Sequence, residues 1–312
     1  NVEQETGSSP SVPDSEIDLD GDGLSQLEEF LIGSDPTDPN SPAESFFIAS
    51  NGANATVGGS AAAPWNTISY ALTQVAPSAN NPVRLIVGEG NYAEDVELKP
   101  WVTLVGATGT VPRIEGTVFG ANNSALENLE IAAFTSDDVM LVMDNVVMTV
   151  TNVIFRGSAS RPAAGIMVDG TATADSVVDG CLFTSISVGI DVGGALPMIR
   201  RCTFENTSIA GVFVRATASI SSGVSLGNVS DPSTGSNLFA GVVDGRAVIN
   251  ELSTTLRAEQ NDWGTTDVNA IRANLVSGPV DVEPLLVPGT AGDTSSLFVT
   301  VWTAANQTRI VT

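Results

Sequence analysis

Ala164-Gly165-Ile166-Met167-Val168, Val188-Gly189-Ile190-Asp191-Val192 and Ala210-Gly211-Val212-Phe213-Val214 decide the fold of this chain. The copies are spaced by 24 and 22 residues, and a weaker one, Gly241-Val242-Val243-Asp244, follows. A second column runs between them: Gly180-Cys181-Leu182-Phe183, Arg201-Cys202-Thr203-Phe204 and Gly223-Val224-Ser225-Leu226. Short β-branched strands recurring at one loose period are the mark of a coil that stacks on itself. Within each Gly-Ile-x-Val unit the flanking aliphatics face one way and x faces the other. The x positions hold Met167, Asp191, Phe213 and Val243, an unconstrained mixture, whereas Ile166/Val168, Ile190/Val192 and Val212/Val214 stay aliphatic. One face is core and the other is open to variation. The reading is an all-β fold, a single-stranded parallel β-solenoid.

Composition agrees. Aromatic residues make up 5% of the 312 residues, against 42% hydrophobic residues and 30 glycines. A thin coil interior is filled by Val, Ile and Ala more readily than by rings. The charge balance is 36 acidic to 12 basic residues, a formal −24. Such a surface repels phosphate backbones and anionic lipid, which excludes nucleic acid as a partner. The acid excess either recruits divalent cations or serves solubility in a saline medium. The chain has no histidine, so the commonest general base and transition-metal ligand are missing. No run approaches the roughly 20 apolar residues of a membrane span. A start at Asn1 fits a secreted product whose leader has been removed. Cys181 and Cys202 hold equivalent places in neighbouring coils. Parallel strands lie about 4.8 Å apart, within the Cα separation of a disulfide. Both a bridge and two reduced thiols in an inward ladder are compatible with that spacing.

Four segments follow in order. Residues 1–17 form an extended tail rich in Glu, Ser and Pro. Residues 18–45 hold the strongest motif, starting Asp18-Leu19-Asp20-Gly21-Asp22-Gly23-Leu24-Ser25-Gln26-Leu27-Glu28-Glu29. Ca²⁺ takes six to eight oxygens, which a tight loop supplies from alternate positions. Asp18, Asp20 and Asp22 fill places 1, 3 and 5, and Gly23 allows the turn at place 6. Leu24 offers its carbonyl, Gln26 acts directly or through water, and Glu29 reaches back from place 12. Leu27, Phe30 and Leu31 mark the apolar side of the short helix that follows. With Gly33-Ser34-Asp35-Pro36-Thr37-Asp38-Pro39-Asn40, the stretch 18–40 resembles the bacterial type-3 thrombospondin-like calcium repeat, a relative of dockerin and EF-hand loops.

Residues 46–288 are the coil. Residues 65–75 carry apolar positions at helical spacing, with Asn66 or Thr67 as N-cap, and would cover the open end of the first turn. Strands follow at Val83–Val87, around Tyr92, at Val96–Leu98 and at Val102–Gly106. This opening resembles that of pectin-lyase-like right-handed parallel β-helix proteins of bacterial secreted or surface type. The close of the region, Asn261-Asp262-Trp263-Gly264, a short helix near 267–276 and Val282-Glu283-Pro284-Leu285, resembles how many of them end. At about 24 residues a turn the region would hold roughly eight or nine turns and stand about 40 Å tall. Residues 289–312 read as a flexible linker and a β-hairpin, Leu297–Trp302 with Thr308–Thr312. The hairpin covers the last coil of its own solenoid or adds to the edge of a neighbour.

Function is less legible, because this fold hosts unrelated activities. A lyase needs an Arg or Lys base beside a bound uronate, and a glycosidase needs two carboxylates roughly 5–9 Å apart. Lys99 is the only lysine; Arg200, Arg201 and Arg215 adjoin coil strands; Asp169 and Asp191 sit at non-equivalent places. Trp65, Trp101, Trp263 and Trp302 are scattered rather than arrayed as sugar platforms. No catalytic or organic-cofactor residue is singled out; Ca²⁺ is the expected cofactor. The expectation is a secreted, extracellular or cell-surface calcium-binding solenoid with a structural or adhesive role. It would self-associate head to tail through its terminal segments as a filament or surface layer. Alternatives are a polysaccharide lyase or glycoside hydrolase on acidic glycans, and a non-catalytic glycan-binding module with an extracellular polysaccharide as partner.

Overall fold

The computed structural model describes Leu19 and residues 44–133, 135–136, 138–158, 162–221, 225–230, 234–239 and 245–286. Among the described residues all paired strands are parallel, in sheets of seven, eight and six strands and one small pair. Each turn of chain contributes a short strand to each of the three main sheets in succession. The result is a parallel β-solenoid of about seven turns. Eight strands at the parallel spacing span about 34 Å, somewhat shorter than the 24-residue period alone implies.

Registers follow the repeat. Ile166 lies opposite Ile190 and Ile190 opposite Val212, while Met167, Asp191 and Phe213 line up outside. The next rung is Arg246–Asn250, with Val212 opposite Val248 and Phe213 opposite Ile249. It is not Gly241–Asp244, which lies outside the described residues. The second column is corrected in the same way. Phe183 and Phe204 are followed by Phe239, not by Leu226, whose amide instead bonds the carbonyl of Arg257 in another part of the coil. Both corrections share a cause: the connection between Val214 and Arg246 is longer than one period, and spacing cannot show where the insertion ends.

Inside the six-stranded sheet the rings of Phe155, Phe183, Phe204, Phe239 and Trp263 stack face to face, with centroids 4.8–5.0 Å apart. That distance is the strand spacing itself, so in-register stacking sets ring on ring. The glycine of each Gly-Ile-x-Val unit makes room for the stack. A Cβ on Gly165 would lie 2.8 Å from the Phe183 ring, and one on Gly189 2.6 Å from Phe204. Large against small thus keeps the interior filled.

A corner closes every turn. Between the seven- and six-stranded sheets one residue per coil takes the left-handed conformation: Asn128, Asn152, Gly180, Arg201, Ser236 and Gln260, with φ between 53° and 64°. Asn and Gly adopt this region at least cost. The Asn152 amide donates to Asn128 Oδ1 at 3.3 Å, tying two corners together.

The amino-terminal end is covered. The helix α1, Ile68–Gln74, is capped by Thr67, whose hydroxyl accepts from the Tyr70 amide, and it buries Ile68, Ala71 and Leu72. The outer edge of the first strand, Ser45–Ile48, is paired too: Phe47 N donates to Gly59 O at 2.7 Å and Trp65 N to Phe47 O at 2.9 Å. At the other end the last described strands are Val276–Ser277 and Val280–Asp281, after a helical segment over Val268–Leu275. No described helix is long and apolar enough to cross a membrane.

Candidate functional site

The calcium ligands expected from the sequence, Asp18, Asp20, Asp22, Leu24, Gln26 and Glu29, lie outside the described residues, as does the 297–312 hairpin. Among the described residues no three His, Cys, Asp or Glu side chains converge as a metal site.

What the coil does assemble is an acidic strip on the outer face of the eight-stranded sheet. Asp144 and Asp169 stand directly opposite each other on neighbouring strands. Asp169 is thus aligned with Asp144 and not with Asp191, which pairs with Met167. Asp191 receives Arg215 through Nε at 2.6 Å and Nη2 at 2.5 Å. The guanidinium also lies over the Phe213 ring, 4.8 Å from its centroid. Hydrogen bonding to Asp191 holds the Arg215 pKa above its ordinary value, and the charges of Glu251 and Asp169 add to this. One cation surrounded by three carboxylates leaves the strip negative, so it attracts cations and repels polyuronate.

The other basic side chains are also engaged. Asp179, whose side chain is 6% exposed, receives Arg200 Nε at 2.9 Å and Arg201 Nε at 2.7 Å. The hydrogen bond to Asp179 raises the pKa of Arg201. This partner also holds an arginine at a corner where the preceding coils place Asn128, Asn152 and Gly180. Glu130 lies between Arg113 and Arg156, at 3.5 and 3.0 Å. Arg84, Arg257 and Arg272 pair with Glu127, Glu259 and Glu283. Lys99 Nζ donates to Val75 O, and Arg246 Nη1 to Ala273 O. Every described Arg or Lys therefore has an acceptor. A lyase base would have to be released from one of these partners.

Large aromatic side chains are mostly inside the coil. Trp65 stacks on Phe46 at 5.1 Å and is buried, and Trp263 ends the internal ring column. Tyr92 is 3% exposed and donates to Gly88 O at 2.9 Å; burial pushes its pKa up to about 12. These rings cannot act as sugar platforms where they lie.

Cys181 and Cys202 are buried free thiols in register, because Leu182 lies opposite Thr203 and Phe183 opposite Phe204. Their column holds Asn237 next: Leu238 follows Thr203, and the Cys202 amide donates to Asn237 Oδ1 at 3.0 Å. Each sulfur faces carbonyls, Cys181 at Asp179 O (3.5 Å) and Cys202 at Arg200 O (3.3 Å). In-register parallel strands hold Cβ atoms near 4.8 Å, beyond the roughly 3.8 Å typical of a disulfide. Bridging would need the two coils to close locally. Burial pushes the Cys202 thiol well up, with Cys181 adding to the shift, so neither its environment nor its access favours a thiolate.

Sequence reasoning missed the Asp144–Asp169 alignment and the Asp179 clamp. Both depend on register between turns, although the Asp-Gly and Arg-Arg dipeptides at coil corners were a partial signal. No protein-family model, curated protein or solved structure matches the chain, so the fold rests on the strand topology described above.

Proposed function

We propose that the chain is a secreted calcium-binding β-solenoid with a structural or adhesive role, a subunit of an extracellular filament or surface layer. The observation that carries this reading is the engagement of every described cation by an acceptor, together with rings packed inward. A polyanion-cleaving groove needs a free base and an array of exposed rings; every described Arg and Lys is engaged, and among the described residues Phe119 is the one exposed ring. A rigid rod of stacked turns is suited to spanning distance. Calcium at the 18–29 loop would order the leader, since an ion that binds only the folded loop stabilises it.

Assembly is assigned to the appended segments and not to bare coil ends. The edge of Ser45–Ile48 is already paired by residues 59–65, so coil-on-coil strand addition has no open edge there. The 297–312 segment, added to a neighbour, is the assigned contact. Electron microscopy in calcium and in chelator tests this reading. Filaments or ordered arrays that dissolve on chelation are expected; monodisperse particles in both conditions refute it.

A second reading is favoured by one observation, the Asp144–Asp169 pair on an open sheet face. It is a glycoside hydrolase or a non-catalytic glycan-binding surface. Release of reducing ends from a glycan, abolished in Asp169→Asn, would establish the hydrolase. Retention on a glycan column without turnover would establish the binding module.

A further inference from the structure

We propose that the outer face of the eight-stranded sheet, from Phe119 to Asp169, docks a cationic amphipathic helix of a partner protein. Two tracks run side by side along the coil there. Phe119, Val142 and Met167 stand in register on successive turns, Phe119 opposite Val142 and Val142 opposite Met167. Leu141, Met143, Ile166 and Val168 belong to the interior cluster, so alternation sends Val142 and Met167 outward. Phe119 is 41% exposed, and Val142 and Met167 are half-exposed. Single apolar side chains on a surface are ordinary, but three on neighbouring rungs make a continuous patch. The second track lies two residues further along each strand, about 6.6 Å to the side. There Asp144 is directly opposite Asp169. Val168 is opposite Val192, so the next rung sets Gly193 beside Asp169, and a Cβ there would lie 2.6 Å from Asp169 Oδ1. A residue without a side chain thus leaves that carboxylate open. Among the described residues no Arg or Lys pairs with Asp144 or Asp169. Like charges directly opposite repel, so a cation brought to the pair is stabilising.

The occupant follows from charge complementarity, and the same face shows how a cation settles on it. Asp191 and Phe213 are opposite each other on the following turns, and together they hold Arg215, bonded to the carboxylate and lying over the ring. Asp144 and Asp169 beside the Phe119 column offer that chemistry with two carboxylates and no arginine of their own. The cation therefore comes from outside. A second copy is a poor source, because every described Arg and Lys already has an acceptor and the chain carries a formal −24. The partner that fits is apolar over Phe119, Val142 and Met167 and basic over the two aspartates. Rungs repeat about every 4.8 Å and helical turns about every 5.4 Å. Two helical turns laid along the coil axis therefore set an apolar stripe over three rungs, with Arg or Lys on its flank reaching the carboxylates. The inference depends neither on calcium nor on assembly through the terminal segments.

The test is fluorescence anisotropy with the full chain and labelled synthetic helical peptides. One carries a Leu stripe flanked by Arg, a second has each Leu replaced by Ala, and a third has each Arg replaced by Glu. The Leu–Arg peptide is expected to bind and the other two to bind far more weakly. Its affinity should fall about tenfold or more in the double variant Asp144→Asn with Asp169→Asn, and in Met167→Ser alone. A control, Glu89→Gln with Glu205→Gln, removes the same two charges from exposed positions elsewhere on the coil and should change affinity by less than about twofold. Circular dichroism establishes that each variant is folded. No binding of the Leu–Arg peptide overturns the proposal, as does equal binding of the Ala-stripe peptide. Equal loss in the control variant reduces the effect to general attraction to an acidic surface and also overturns it. A neutral oligosaccharide that binds the face, displaces the peptide and is lost in the same variants would assign the face to a glycan instead.

Discussion

Replacing Phe183 by alanine tests the packing argument most directly. The ring is fully buried between Phe155 and Phe204, 4.8 Å from each. Phe→Ala in a core costs about 3–5 kcal/mol, and losing two stacked pairs places this site toward the upper end. The facing residue is Gly165, which has no side chain to relax into the void. The informative experiment is the double-mutant cycle with Gly165→Ala. Alone, that methyl would lie 2.8 Å from the Phe183 ring and 2.7 Å from Gly189 O, and overpacking of this kind costs about 1–3 kcal/mol. With Phe183→Ala the ring clash disappears and only the carbonyl contact remains. The glycine substitution should then cost about 1–2 kcal/mol less than in the wild type, a coupling of the size expected for residues in contact. Urea denaturation followed by far-ultraviolet circular dichroism measures it, provided the slope is unchanged across the four proteins. Costs that simply add, to within about 0.5 kcal/mol, would mean that the glycines do not exist to admit the rings.

Asp179→Asn should lower stability by about 1–3 kcal/mol, because two arginines lose a nearly buried carboxylate; thermal melts compared with Asp191→Asn, whose carboxylate is more exposed and holds one arginine, check this. Stability should fall as pH rises from 10 toward 12. The unfolded chain releases the Tyr92 proton near 10 whereas the folded chain holds it to about 12, so in this window the unfolded state binds fewer protons. Two units correspond to at most about 2–3 kcal/mol, and Tyr92→Phe should flatten that part of the profile. Glu29→Gln should weaken calcium binding by about tenfold or more, since place 12 supplies the bidentate carboxylate; isothermal titration reads it directly. Unchanged affinity would remove the loop from the functional reading.

Much of the coil could be read in the chain because its cause is local. Alternation within five residues decides which side chains face inward, so Ile166, Ile190 and Val212 announce the lining before any strand is placed. The same holds for α1, whose N-cap at Thr67 and apolar spacing lie within one short segment. Recurrence at 24 and 22 residues then implies stacking. The period failed where the chain between Val214 and Arg246 lengthens, and Leu226 was matched to a column that belongs to Phe239. An insertion changes no local pattern, so only pairing shows where the next rung begins.

The candidate surface divides along the same line. The calcium loop proposed for Asp18 to Glu29 is written within twelve residues, so reading it needs no register between turns. The Asp144–Asp169 pair, the two arginines on Asp179 and the ring stack from Phe155 to Trp263 join residues about 20 to 35 positions apart at each step. Their meeting depends on the register of one turn on the next, and a one-residue slip would send each side chain to the opposite face. The order of residues therefore determined the lining of each turn and carries the calcium motif proposed for residues 18–29. Which acids, arginines and rings share a height on the rod was decided only when the turns stacked, because vertical alignment is a property of pairing between turns and not of any single stretch of chain.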